Sequence, residues 1–136
     1  MNKKREIKSS KYHVVLTLKY RKNFLINNIK FHVEKSLKHK AKDLNVDIKN
    51  IEVMPDHVHI FISIPITLSI SKVVHQLKGF SSFETRKNLN LYNYKSFWSS
   101  GYFCESISHI SEPVIRKYID NQWDNSKYNN LNSSSH

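Results

Sequence analysis

The chain has 136 residues, 39% of them hydrophobic, with only two glycines and three prolines. That length suits a single domain, and the composition excludes a disordered or Gly/Pro-rich low-complexity chain. Lys and Arg outnumber Asp and Glu by 22 to 11, a formal charge of +11, which favours a polyanionic partner, nucleic acid first, over a merely solvated basic surface.

The opening MNKKREIKSS is charged, with no apolar block of signal-peptide type behind it. Neither secretion nor membrane insertion is expected. Tyr12 to Lys19 (YHVVLTLK) is short and β-branched and reads as a first strand, ending at the basic KYRK of Lys19 to Lys22. From Ile29 onward, Ile29, Val33, Leu37, Ala41 and Leu44 recur at helical spacing, with Lys35, Lys38, Lys40 and Lys42 on other faces. Asp47 to Val53 predicts a second strand, Pro55-Asp56 a turn, and His57 to Ile64 a third strand running back as a hairpin. After Pro65, Thr67 or Ser69 can cap a second helix whose apolar face uses Ile70, Val73, Val74, Leu77 and Phe80.

Asn88 to Ser100 reads as a polar, aromatic loop, and Tyr102 to Ile107 as a fourth strand. The single cysteine, Cys104, reads as a core residue; one cysteine excludes an intramolecular disulfide or a cysteine-based zinc site and fits a reducing cytoplasm. Ser111, Glu112 and Pro113 stand as N-cap, first-turn acid and early proline for a last helix from Val114 to about Asp124. Residues 1–124 therefore form the expected domain, and 125–136 a polar tail expected to be disordered. The order β-α-β-β-α-β plus a helix matches an α+β, ferredoxin-like split βαβ sandwich, an antiparallel sheet with helices on one face.

Within His57-Val58-His59-Ile60-Phe61, strand alternation puts both imidazoles on one face and Val58, Ile60 and Ile62 on the other. Two imidazoles at that spacing offer a divalent metal two ligands from rigid backbone. The same pattern also suits two histidines on a solvated strand face. On the last helix, Tyr118 and Gln122 lie four residues apart and share a face; a half-buried tyrosine beside a solvated glutamine has that spacing too. His13, His32, His39, His75, His109 and His136 have no comparable partner and read as surface or satisfied core.

Together, MPDHVHIFISIP (Met54 to Pro65), SKVVHQLKGFSS (Ser71 to Ser82), WSSGYF (Trp98 to Phe103) and VIRKYIDNQ (Val114 to Gln122) resemble the single-tyrosine HUH transposases of bacterial and archaeal insertion sequences. The likeness runs in the family's order from about Tyr12 to Trp123. It implies a divalent cation, Mg²⁺ or Mn²⁺, held by His57, His59 and Gln122, with Tyr118 as nucleophile forming a 5′-phosphotyrosine. It also implies single-stranded DNA with hairpin ends as substrate and a homodimer whose active sites are shared between subunits. One feature departs from the family: the stretch before the tyrosine helix usually contains glycine, whereas Ser106 to Glu112 has none, which puts the ease of helix motion in doubt.

For DNA contacts, Arg21 and Lys22 after the first strand, Lys72 and Lys78 on the second helix, and Arg86 are candidates to neutralise phosphates. Tyr92, Tyr94 and Trp98 are candidates to stack on unpaired bases, with a core position the alternative for Trp98. Two other functions share these features. A catalytically idle, domesticated binding domain would keep the fold and charge. A replication or conjugation nickase would keep the HUH chemistry, generally in a longer chain.

Overall fold

The computed structural model describes residues 8–20, 23–95 and 97–107. The elements follow in the expected order: β1 (Ser9–Thr17), α1 (Asn27–Asp43), β2 (Asp47–Met54), β3 (His57–Pro65), α2 (Ile70–Asn88) and β4 (Phe103–Ile107). Arg21, Lys22, the predicted tyrosine helix with Tyr118 and Gln122, and the 125–136 tail lie outside the described residues.

The strands form one sheet in the order β2-β3-β1-β4, every neighbouring pair antiparallel. β1 and β2 are joined through α1 with β3 inserted between them, which is the split βαβ arrangement of the ferredoxin-like fold. Val14 and Leu16 of β1, Val53 of β2 and Val58, Ile60, Ile62 and Ile64 of β3 share one core with both helices. Burying each such side chain contributes about 1.5–3 kcal/mol. The helices supply Val33, Leu37 and Ala41 from α1 and Val73, Val74 and Leu77 from α2, as their spacing predicts.

Phe80 departs from the expected apolar face. It turns toward α1, where its ring stacks on His39 at 5.5 Å and sits under the Lys40 ammonium at 5.4 Å. The inner face continues instead through Ser81, Ser82 and Thr85, small side chains that let the helix lie close to its neighbours. Cys104 is only partly buried against the core, because β4 is the edge strand next to β1.

Local chemistry sets the element ends. Ser69 caps α2, its hydroxyl accepting the Lys72 N–H at 3.3 Å, which resolves the choice between Thr67 and Ser69. Both helices run out into a left-handed asparagine, Asn45 (φ 59) and Asn90 (φ 55). Asparagine tolerates that conformation better than other non-glycine residues, and the chain is poor in glycine. The Pro55-Asp56 turn is pinned from outside: the Pro55 carbonyl accepts from Phe24 and Leu25, and the Asp56 carbonyl from Leu18. That anchor holds the residue directly before His57.

Candidate active site

β3 is the second strand in from the β2 edge, between β2 and β1, and its residues alternate between the helix-covered core and the opposite face. His57, His59 and Phe61 fall on the opposite face, opposite Thr17, Val15 and His13 of β1. The face is not solvated. His57 is 1% exposed, and His59 and His13 are 0% exposed, so a surface pair, the bland alternative for HxH, does not describe these side chains.

Buried imidazoles need partners, and these have them. His57 Nδ1 lies 2.8 Å from Asp56 Oδ1. A carboxylate only accepts, so His57 carries its proton on Nδ1 and, when neutral, presents a lone pair at Nε2. His57 Nε2 lies 3.2 Å from His59 Nε2, and His59 Nδ1 lies 3.0 Å from His13 Nε2. The result is a continuous line, Asp56, His57, His59, His13, across the hairpin and onto the neighbouring strand.

Burial disfavours the imidazolium form. It lowers His59 from 6.5 to about 3, with the charges of His57 and His13 adding to the effect, and lowers His13 from 6.5 to about 4. Both rings are therefore neutral at pH 7, the form that can ligate a metal. Two Nε2 atoms 3.2 Å apart match a pair of ligands on one ion with metal–nitrogen bonds of about 2.1 Å. The His57–Asp56 bond is the carboxylate–histidine support that metal-bound imidazoles usually carry. The donor set thus fits a divalent cation. Among the described residues no cluster of three or more His, Cys, Asp or Glu could hold one, so these supply two ligands, and Gln122, the expected third, lies outside the described residues.

His13 is the buried neighbour of this pair that the order of the chain does not reveal. Of the two sequence readings, surface or satisfied core, the structure gives the core one, and it supplies the partner that the spacing does not show, a direct bond to His59. The pairing of β1 with β3, which sets His13 opposite Phe61 and diagonal to His59, is a tertiary fact. The one available signal is its place inside the β-branched YHVVLT run that reads as the first strand.

The family model for IS200-like transposases matches residues 6–122. The chain belongs to the IS200-like transposase family. It is 31% identical over 121 residues to the transposase for insertion sequence element IS200 of Salmonella typhimurium, covering 86% of this chain and 79% of that one. It is 29% identical over 120 residues to the ISDra2 transposase TnpA of Deinococcus radiodurans, covering 83% and 84% of the two chains. A crystal structure of a candidate transposase from Deinococcus radiodurans R1 superposes with a TM-score of 0.71 at 25% identity, covering 90% of this chain and 98% of that one. A REP-associated tyrosine transposase bound to a REP hairpin shares the fold, with a TM-score of 0.63 at 15% identity over 88% of this chain and 68% of that one.

The transposase carries its described basic and aromatic candidates along α2 and on the loop that follows it. Lys72 is exposed on α2. Lys78 donates to the carbonyls of Ser99 (2.7 Å) and Gly101 (3.0 Å), and burial lowers its pKa. Arg86 donates to Ser82 and, through Nη1, to the Tyr94 carbonyl at 3.0 Å. These two cations hold the 94–101 loop in place. Tyr92 and Tyr94 are exposed, while Trp98 is 4% exposed and donates to Ser81 Oγ at 2.9 Å, which makes it a core residue rather than a stacking platform. A depression of about 660 Å³ between Lys19, Tyr20, Tyr94 and Lys95 opens beside it. Among the described residues no helix is long and apolar enough to cross a membrane.

Proposed function

We propose that this transposase cuts and rejoins single-stranded DNA at insertion-sequence ends, with Tyr118 as nucleophile and His57, His59 and Gln122 as the ligands of Mg²⁺ or Mn²⁺. One observation carries the reading: in a chain of this family, two buried imidazoles bring their Nε2 atoms within 3.2 Å, one of them braced by a carboxylate. Without a cation such a pair has no evident use on the sheet face.

When bound, the cation would polarise the scissile phosphate and offset charge in the transition state. The protein's own residues do the rest. As ligands, His57 and His59 would carry no negative charge and so leave the positive charge at the site undiminished, and Asp56 fixes the tautomer and plane of His57. The Tyr118 oxygen bonds to phosphorus as its phenol, pKa about 10, loses its proton. The bond from phosphorus to the 3′ oxygen breaks, and that oxygen leaves with the electron pair and is protonated to a free 3′-OH. The 5′-phosphotyrosine keeps the phosphodiester energy, so the reverse attack rejoins strands without ATP.

Arg21, Lys22, Lys72, Lys78 and Arg86 are the proposed phosphate contacts, and Tyr92 and Tyr94 the proposed base-stacking residues. Hairpin recognition, a homodimer with shared sites and a cytoplasmic location complete the proposal. The test is incubation with labelled single strands from the DNA flanking the chain's own gene. A covalent adduct that Tyr118→Phe abolishes, with hairpin binding nearly unchanged, is the expected result. Hairpin binding without any adduct in the unaltered protein would make the chain an idle binding domain.

A further inference from the structure

His13 belongs to neither the HxH pair nor the tyrosine helix, yet it is as buried as either histidine of the pair. Its Nε2 lies 3.0 Å from His59 Nδ1, and the two ring planes are within 6° of parallel with centroids 5.2 Å apart. That separation is what two imidazoles need to meet nitrogen to nitrogen, edge to edge. The contact is therefore an in-plane hydrogen bond rather than a face-on stack. The far face of His13 is fixed as well: its ring stacks on Phe61 at 4.9 Å and meets the edge of Phe103 at 5.9 Å.

We propose that His13 is a positioning residue for the metal centre, accepting the His59 Nδ1–H so that His59 Nε2 presents its lone pair to the same ion as His57 Nε2. The proposal rests on the metal site of the preceding section. Its logic is proton placement. Asp56 forces the His57 proton onto Nδ1, which leaves one nitrogen of that ring for a metal. His59 reaches the matching state only with its proton on Nδ1, and the partner there is His13 Nε2. In the metal-free chain the line can run the other way, with His13 Nε2–H donating to His59 Nδ1 and His59 Nε2–H donating to His57 Nε2. Loading the metal then reverses the tautomers of His59 and His13 with no change in net charge. Asp56 and His13 thus act as paired supports, one for each ligand, the first from the turn and the second from the neighbouring strand.

The test measures metal binding on the full chain, with Mn²⁺ as the probe, by electron paramagnetic resonance of the free ion. The unaltered protein should bind one Mn²⁺ that His57→Ala eliminates. His13→Phe keeps a ring between Phe61 and Phe103 but offers no acceptor, and should weaken that site by about 10–100-fold, the usual effect of losing such a support. His13→Gln, which places an amide oxygen near the former Nε2, should restore most of the affinity. Mn²⁺ binding that His57→Ala leaves intact would defeat the metal site itself. A site lost in His57→Ala but unchanged in His13→Phe would overturn only the role of His13, as would equal loss in the Phe and Gln variants.

A second measurement needs no variant. Long-range ¹H–¹⁵N spectra of the unaltered protein loaded with Zn²⁺, a diamagnetic probe, should show His59 protonated at Nδ1 and His13 unprotonated at Nε2. A proton on His13 Nε2 in the loaded protein would overturn the proposal even if both variants failed to fold.

Discussion

An imidazole buried without charge stores a pH dependence. His13 and His59 titrate near 6.5 in the unfolded chain, but burial lowers them to about 4 and about 3 in the folded one. Between about pH 6.5 and about pH 4 the unfolded state binds protons that the folded state refuses, so folding stability falls as pH falls through that window. Above about pH 7 these groups contribute no slope. Each histidine can add up to about 1.4 kcal/mol per pH unit within the window. Urea melts of the metal-free protein should therefore give a lower stability at about pH 5 than at about pH 7, with the difference reduced in His13→Phe. Identical melts at the two values would show that neither ring is held neutral by the fold. The proposed metal binding would add to the same dependence, because only neutral rings ligate.

Among the elements, β3 is unusual in being buried on both faces: Val58, Ile60, Ile62 and Ile64 look into the helix-covered core, and His57, His59 and Phe61 look the other way. A strand buried on both faces is held by packing on each side, which suits the proposed metal ligands. The loop after α2 is held by side chains as well as by backbone bonds to the end of β1. Lys78 binds the Ser99 and Gly101 carbonyls, and Ser81 Oγ accepts the Trp98 indole N–H at 2.9 Å. The end of β1 joins in: Ser99 N–H donates to Thr17 at 2.8 Å, and Lys19 N–H donates to Phe97 at 2.9 Å. Ser81→Ala should leave the indole N–H buried without an acceptor and cost about 1–3 kcal/mol, read from the midpoint of chemical unfolding. A change within experimental error would mean that the loop can turn Trp98 outward to water at no cost.

For the whole molecule, a net charge of +11 suits a DNA partner, and the proposed sharing of sites makes a forecast that depends on assembly rather than on chemistry. If His57 and His59 of one subunit work with Tyr118 of the other, a heterodimer of His57→Ala and Tyr118→Phe subunits gathers both lesions in one site and leaves its second site intact. Two inactive proteins should then regain cleavage when co-expressed with different affinity tags and purified as the mixed dimer. A purified mixed dimer that stays inactive would show that each subunit completes its own site, with Tyr118 still the nucleophile. In that proposed arrangement the glycine-free Ser106 to Glu112 stretch would slow the exchange of the expected tyrosine helix between subunits, because non-glycine residues are more restricted in φ and ψ than glycine.

The element order was legible in the residues themselves, because β-branched runs and helical apolar spacing are local properties that any fold must satisfy. The Pro55-Asp56 turn was legible for the same reason, and the α2 cap as far as a choice between Thr67 and Ser69, as was the sharing of one strand face by His57 and His59, which alternation alone dictates. The Tyr118 and Gln122 pairing rests on motif and spacing, and both residues lie outside the described ones. What the chain order could not reveal was that the histidine face is buried, since strand alternation says which residues share a face but not what lies against it. The inward course of Trp98 and the outward turn of Phe80 depended likewise on neighbours far away in sequence. His13 is the clearest case. It stands 46 residues from His59, and only the antiparallel register of β1 on β3 brings the two rings within a hydrogen bond of each other.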